Sequence, residues 1–157
     1  MWSLVFRNLF FTILQPGVVA GLLPYWILGS RFTETFKNGL SSFQYIAIFI
    51  LAAGIAILFY CIGLFIVKGK GTLSLADPTK KLVVSGLYKF SRNPMYIGVM
   101  LMLIGEAVLF SSSSLWLYTI IAFIAFNLFI IYHEEPRLKR DFGTEYQQYL
   151  KTARRWL

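Results

Sequence analysis

The sequence predicts an all-α integral membrane protein, a bundle of about four transmembrane helices followed by an amphipathic helical tail on the cytoplasmic side. Of its 157 residues, 57% are hydrophobic and only 14% are charged, whereas soluble domains carry about 25% charged residues. Long apolar runs alternate with short polar segments. At this length the whole chain, 1–157, is expected to form one membrane domain.

Residues 1–67 are expected to hold the first two spans. The run 9–29 carries no charge and has about the 20 residues that a spanning helix needs. Because it contains Gln15, Pro16 and Pro24, a kinked or broken span is expected. The run 43–67 is also uncharged, and it is long enough to cross the bilayer with tilt.

The second half of the membrane domain is expected to be a helical hairpin. Segment 68–93, which contains glycine, proline and lysine, predicts an irregular cytoplasmic loop. Pro94 suits the first turn of a helix because its missing N–H would be unpaired there anyway. Asn93 suits the N-cap, where its side-chain oxygen could accept a backbone hydrogen bond. The two apolar runs within 94–132 are separated only by the serines 111–114, so their helices must run antiparallel.

The tail, 133–157, is polar and aromatic. Pro136 can start a helix, and Gly143 is expected to break it. Tyr146 and Tyr149 lie on an apolar side of the following helix, while basic residues face headgroups or water. We therefore expect an interfacial segment that covers the cytoplasmic end of the bundle.

The distribution of basic residues predicts the orientation. With four spans, all Lys and Arg residues except Arg31 and Lys37 fall on one side, which the positive-inside rule makes cytoplasmic. We therefore expect a multi-pass protein with both termini cytoplasmic, in a prokaryotic inner membrane. The net charge of +8 fits lipid headgroups better than nucleic acid. One His and one Cys make no credible metal site.

Charged residues of both signs are expected at the cytoplasmic end of the hairpin. Arg92 lies just outside a helix start, whose free N–H groups and dipole favour an anion. Glu134 and Glu135 lie at the end of the fourth span, where the helix dipole disfavours carboxylates. Two readings remain open: the acids bind a cationic ligand, or they pair with Arg92, Arg137 or Arg140 and anchor the tail.

The hairpin brings these groups together, and a zwitterion with a cationic centre would fit between them. The residues expected near this point are Arg92, Asn93, Tyr96, His133, Glu134 and Glu135.

Glu106 is a second acid to explain, about 18 Å along the third span. An acid at such a depth is a functional candidate by default. It could also lie near the opposite interface, or bond Asn127 or Gln15. Separately, Gly17 and Gly21 permit close helix contact within or between chains, which leaves the oligomeric state open.

Three blocks in order carry a family resemblance. They are Arg92-Asn93-Pro94-Met95-Tyr96-Ile97-Gly98, then Glu134-Glu135, then Phe142-Gly143-x-x-Tyr146-x-x-Tyr149. With these blocks, residues 70–157 resemble the membrane methyltransferases related to isoprenylcysteine carboxyl methyltransferase and phospholipid N-methyltransferase. The resemblance implies S-adenosylmethionine as cofactor, bound between the last two spans and the tail, and a lipophilic substrate that enters sideways from the lipid.

The resemblance also implies roles for individual residues. Arg92, Glu134 and Glu135 would be the catalytic residues, and Gly98 would allow close approach to the cofactor. Two positions depart from the family pattern: Asn93 stands where better-known members have His, and Leu87 stands where many relatives have Pro. The residues expected to bind the cofactor are Tyr88, Arg92, Asn93, Pro94, Tyr96, Gly98, His133, Glu134 and Glu135.

The expected reaction is methyl transfer to a lipid or isoprenoid-like acceptor at the cytoplasmic membrane face. A carboxylate acceptor needs no base, whereas an amine or hydroxyl must lose a proton, to Glu134, Glu135 or Tyr88. Two other functions remain open: an NADPH-dependent membrane reductase of the steroid-reductase type, and a non-catalytic protein that binds lipid or a partner.

Overall fold

The computed structural model describes residues 16–37, 39–69 and 81–156, and these residues are almost entirely helical. An isolated bridge pairs Ser91 with Arg154. The helices are α1 (Val18–Leu28), α2 (Arg31–Lys37), α3 (Ser42–Leu64), α4 (Pro94–Leu109), α5 (Ser113–Phe129) and α6 (Glu135–Thr152).

Two helical stretches of the described chain are long and apolar enough to cross a membrane. The first, Ser42–Lys68, consists of α3 and its extension, and the second, Ser113–Thr152, contains α5 and α6. Helices α1 and α4 are apolar but shorter. The all-α membrane architecture is confirmed, while the crossing of the bilayer by four helices stays a prediction.

The predicted kink of the first helix is present in α1. Ala20 has a non-helical backbone, with φ −109° and ψ 19°. Pro24, four residues later, explains this distortion. Pro24 has no N–H that could bond the Ala20 carbonyl, and the proline ring crowds that carbonyl. Tyr118 on α5 donates a hydrogen bond to the carbonyl of Val19, 2.8 Å away, and so holds α1 against the hairpin at this point.

Helices α3 and α4 pack backbone to backbone. A Cβ atom added to Gly54 would lie 2.6 Å from the carbonyl oxygen of Gly98. One added to Gly105 would lie 2.9 Å from the backbone nitrogen of Leu51. Small residues at a helix crossing permit this approach in membrane bundles, and the contact fixes α4 on one side of the candidate site.

A tight turn at Ser111 and Ser112 joins α4 to α5. Ser112 is the N-cap of α5, and its hydroxyl accepts a hydrogen bond from the Leu115 N–H at 3.4 Å. On α2, Phe32 and Phe36 pack on Phe110, with ring centroids 5.5 and 6.0 Å away. Helix α2 therefore lies at the turn end of the hairpin, away from the loop 81–93.

Helix α6 begins at Glu135 with Pro136 in its first turn, which confirms the predicted helix start, and it follows the last long helix without a gap. A π-helical turn, Ile130–Glu134, connects α5 to α6 without a break. This wide turn changes the hydrogen-bond pattern immediately before Pro136, so the proline lies in the first turn of α6, where it is tolerated. Gly143 interrupts α6 with φ +50° and ψ −121°, which confirms the predicted break.

Beyond Gly143, the tail folds over the end of the bundle. Tyr146, Tyr149 and Ala153 are buried in one cluster, against which Leu82 and Leu138 pack. The C-terminal half of α6 and the loop 81–93 thereby form one packed layer at this end.

Candidate functional site

A cavity of about 600 Å³ lies where the loop 81–93 and helices α1, α4, α5 and α6 meet. This volume is within the range of small-molecule sites, about 300–1,000 Å³. Its polar lining includes Tyr88, Arg92, Asn93, Tyr96, Glu134 and Arg137. Its apolar lining includes Val18, Val19, Met95, Val99, Phe126 and Phe129.

Glu134 and Tyr96 join the two helices that flank the cavity. The Tyr96 hydroxyl donates to Oε2 of Glu134 at 2.9 Å, and the Tyr96 ring packs edge-on against Phe126, with centroids 5.0 Å apart. Burial raises the pKa of Glu134 above its ordinary value, although the Tyr96 hydrogen bond and the charge of Arg137 oppose this shift. Glu134 is therefore a half-buried carboxylate that lines the cavity and can accept a proton.

Glu135 has a different environment, because it is held between two guanidinium groups. Arg155 binds it through two hydrogen bonds, Nε to Oε1 at 2.8 Å and Nη2 to Oε2 at 3.1 Å. Arg92 Nη1 lies 3.3 Å from Oε1. The hydrogen bond to Glu135 raises the pKa of Arg155. Of the two readings for the acids, anchoring of the tail describes Glu135, with Arg92 and Arg155 as its partners.

The C-terminal residues also bind the loop through its backbone. The Arg92 N–H donates to the Arg154 carbonyl at 2.7 Å, and the Arg154 N–H donates to the Phe90 carbonyl at 3.2 Å. Asn93 is the N-cap residue of α4, but its side chain makes no capping bond, which corrects the sequence prediction. Its Nδ2 instead donates to the Arg155 carbonyl at 2.9 Å, so the Asn93 side chain binds the tail and does not cap the helix.

Two aromatic residues of the tail add contacts that sequence reasoning missed. Tyr149 donates its hydroxyl proton to the Tyr88 carbonyl at 2.6 Å. Burial raises the pKa of Tyr149, so it stays a neutral donor. Trp156 Nε1 donates to Oδ1 of Asn127 on α5 at 3.0 Å. The only sequence signal for these roles is the aromatic content of the tail, which indicates packing but no partner.

Four predicted cofactor-binding residues do not line the cavity: Glu135, which is held by Arg92 and Arg155, and Pro94, Gly98 and His133. Pro94 is buried at the start of α4. Gly98 faces α3, since a Cβ there would lie 3.0 Å from the Gly54 carbonyl oxygen; its small size serves helix packing, and its role in cofactor approach stays a prediction. His133 is exposed, and its ring lies 5.1 Å from that of Phe129.

Glu106 remains apart from this site. Its Oε2 is buried and has no hydrogen-bond partner among the residues that the structure describes. The proposed bond to Asn127 is wrong, because the Asn127 side chain bonds Trp156 and the Phe123 carbonyl. Gln15, the other suggested partner, lies outside the described residues.

Comparison with protein-family models decides the class of this protein. The model for phospholipid methyltransferases matches residues 43–145, which include α3, the loop, the hairpin and both adjacent acids. The chain belongs to the phospholipid methyltransferase family. No curated protein and no solved structure matches the chain.

Membership establishes the enzyme class and the donor. The chain is an S-adenosylmethionine-dependent methyltransferase, and S-adenosylmethionine is its methyl donor. The family implies a phospholipid substrate. The reductase and the non-catalytic alternatives are therefore excluded. Within the part of the chain that the structure describes, no group of three or more His, Cys, Asp or Glu residues could hold a metal ion.

Proposed function

We propose that this methyltransferase transfers a methyl group to the headgroup amine of a membrane phospholipid, in the cavity between the loop 81–93, α4, α5 and α6. The observation that carries the proposal is the mixed lining of this cavity. The lining combines the charged residues Arg92, Glu134 and Arg137 with apolar residues of α1, α4 and α5. A charged donor and the acyl chains of a lipid could therefore be accommodated in one space.

The residues at the charged end fit the donor. Arg92 has a largely buried side chain, 12% exposed, and its Nε has no hydrogen-bond partner among the described residues. A guanidinium with a free N–H suits the carboxylate of S-adenosylmethionine. The bound donor would supply an electrophilic methyl group on a sulfonium. Glu134 and the aromatic rings of Tyr96 and Phe126 would favour that positive charge.

Glu134 is the proposed general base. A headgroup amine is protonated at neutral pH, and its nitrogen can attack only after it loses that proton. The Glu134 carboxylate lines the cavity, and burial raises its pKa, which brings it closer to the ammonium that it must deprotonate. The neutral nitrogen would then be free to take the methyl group from the sulfonium of the bound donor, which would leave as a neutral thioether.

The proposed reaction takes place at the cytoplasmic face. The cavity residues Arg92 and Arg137 and the neighbouring Arg155 are all at the tail end of the hairpin, whereas Arg31 and Lys37 of α2 lie towards its turn end. This distribution supports the orientation that the positive-inside rule predicts. The termini would then be cytoplasmic, with four spans between them.

The test is methyl transfer by purified protein in phosphatidylethanolamine vesicles, with methyl-labelled S-adenosylmethionine. We expect label in the phospholipid fraction. We expect the rate of Glu134→Ala to be lower by at least about 100-fold, since a general base contributes at least about that factor. Glu145→Ala, which removes an exposed acid of the same helix, should keep the wild-type rate. Label in no phospholipid, or full activity of a folded Glu134→Ala protein, would contradict the proposal.

A further inference from the structure

Arg137 is a cavity residue whose charge acts on Glu134 but whose Nε has no hydrogen-bond partner among the described residues. It lies in the first turn of α6 and lines the cavity. Its Nε is buried. The neighbouring arginines differ, since Arg155 binds Glu135 and Arg140 pairs with Asp141. A buried guanidinium N–H without a partner is costly, so a ligand is expected to complete it.

The charges around the cavity favour an anionic ligand. Three guanidinium groups, of Arg92, Arg137 and Arg155, face two carboxylates, of Glu134 and Glu135. One positive charge is therefore left over at this end. Arg92 is assigned to the donor's carboxylate, which leaves the phosphate of the lipid as the anionic group available to Arg137, while the headgroup ammonium lies towards Glu134.

We propose that Arg137 binds the phosphodiester of the lipid acceptor and thereby selects phospholipids; this inference rests on the proposed function. A guanidinium can bind phosphate oxygens through two parallel N–H bonds. The bound phosphate would place a negative charge beside this guanidinium. Arg137 is a specificity-determining residue in this account, distinct from Arg92, which is assigned to the donor.

The spacing along the helix fits an ethanolamine headgroup. Glu134 and Arg137 are three residues apart in a continuous helical segment, and side chains at this spacing lie on one face with Cβ atoms about 5–6 Å apart. In such a headgroup, two carbons separate the phosphate ester oxygen from the amine. A phosphate on Arg137 therefore leaves the amine within reach of the Glu134 carboxylate. Leu138, next along the chain, also lines the cavity and offers an apolar surface to an acyl chain.

The alternative ligand for Arg137 is the carboxylate of the donor, and two measurements distinguish them. The first is the KM for phosphatidylethanolamine at saturating donor. The second is the Kd for S-adenosylhomocysteine, which lacks the reactive methyl but keeps the carboxylate. Both are made on the full-length protein, with Arg137→Gln compared to Arg140→Gln, which removes an exposed guanidinium of the same helix, 77% exposed.

We expect Arg137→Gln to raise the lipid KM about 30-fold, as for the loss of a hydrogen bond to a charged group, and to leave the S-adenosylhomocysteine Kd unchanged. Arg137→Lys, which keeps the charge without the planar fork, should give an intermediate KM. Methylation of a long-chain primary amine that lacks phosphate should not respond to either substitution. Arg140→Gln should change none of these values.

A weakened S-adenosylhomocysteine Kd with an unchanged lipid KM would overturn the inference, since the donor would then be the ligand. The inference would also be overturned if Arg137→Gln impaired methylation of the phospholipid and of the phosphate-free amine equally. If Arg137→Gln does not fold, the same comparison is made with Arg137→Lys. A wild-type protein that methylates the simple amine but no phospholipid would overturn the proposed function together with this inference.

Discussion

Glu134 and Glu135 are adjacent in the sequence, yet they serve different purposes. Consecutive residues of a helix point about 100° apart, so Glu134 faces Tyr96 and the cavity while Glu135 faces the tail. The sequence indicates that both acids lie near Arg92, and the structure places the backbone of both acids at the same end of the hairpin as Arg92. The sequence does not distinguish the two, because the partner that holds Glu135 is Arg155, at a distance along the chain that no local pattern specifies.

The pKa of Glu134 leads to a prediction at the residue scale. Burial raises this pKa above 4.5, so the base is protonated and inactive at a higher pH than an exposed Glu would be. We expect methyl transfer to fall as the pH drops through this raised pKa. Tyr96→Phe removes a hydrogen bond that lowers the pKa, and the acid limb of kcat/KM should therefore move up by about one pH unit.

The control for this pH profile is Tyr132→Phe, because Tyr132 is 77% exposed. Its acid limb should coincide with that of the wild type. An acid limb at or below 4.5, or one that does not move in Tyr96→Phe, would contradict the assignment of Glu134 as the base.

At the element scale, the α3–α4 crossing determines where the N-terminal end of α4 lies. The sequence draws attention to Gly17 and Gly21 as a packing pair, but an added Cβ at Gly21 would meet nothing within 4 Å. The close crossing uses Gly54, Gly98 and Gly105 instead. Glycine spacing alone does not show which face of an apolar helix meets another helix, because apolar side chains surround these helices on all sides.

We expect Gly54→Ala to destabilise the protein by about 1–3 kcal/mol, the usual cost of overpacking. The added methyl would lie 2.6 Å from the Gly98 carbonyl oxygen and 2.8 Å from the Met102 nitrogen, and backbone atoms cannot move aside cheaply. Gly63→Ala, on the same helix with open space around it, should be neutral or stabilising. Thermal unfolding in detergent measures both, and equal midpoints for the two variants would contradict the proposed crossing.

At the scale of the whole molecule, the tail completes the site. Its carbonyls bind the backbone and side chain of the Arg92–Asn93 segment, and Arg155 holds Glu135. The apolar runs and Pro94 predict the helices well, since hydrophobicity and proline geometry are local properties. The closure of the tail over the loop depends on pairs more than 50 residues apart, so the sequence predicts that the tail covers this end without identifying the contacts.

Titration calorimetry with S-adenosylhomocysteine tests most directly whether the cavity beneath this tail holds the donor. We expect the purified wild-type protein to bind it, and Arg92→Gln to bind it at least about 10-fold more weakly, a loss of about 1.4 kcal/mol. Arg155→Gln is the matched control, because it removes the other guanidinium from Glu135 without changing the cavity lining. It should lower the stability of the fold more than the affinity for S-adenosylhomocysteine. Equal affinity in the wild type and Arg92→Gln would contradict the account.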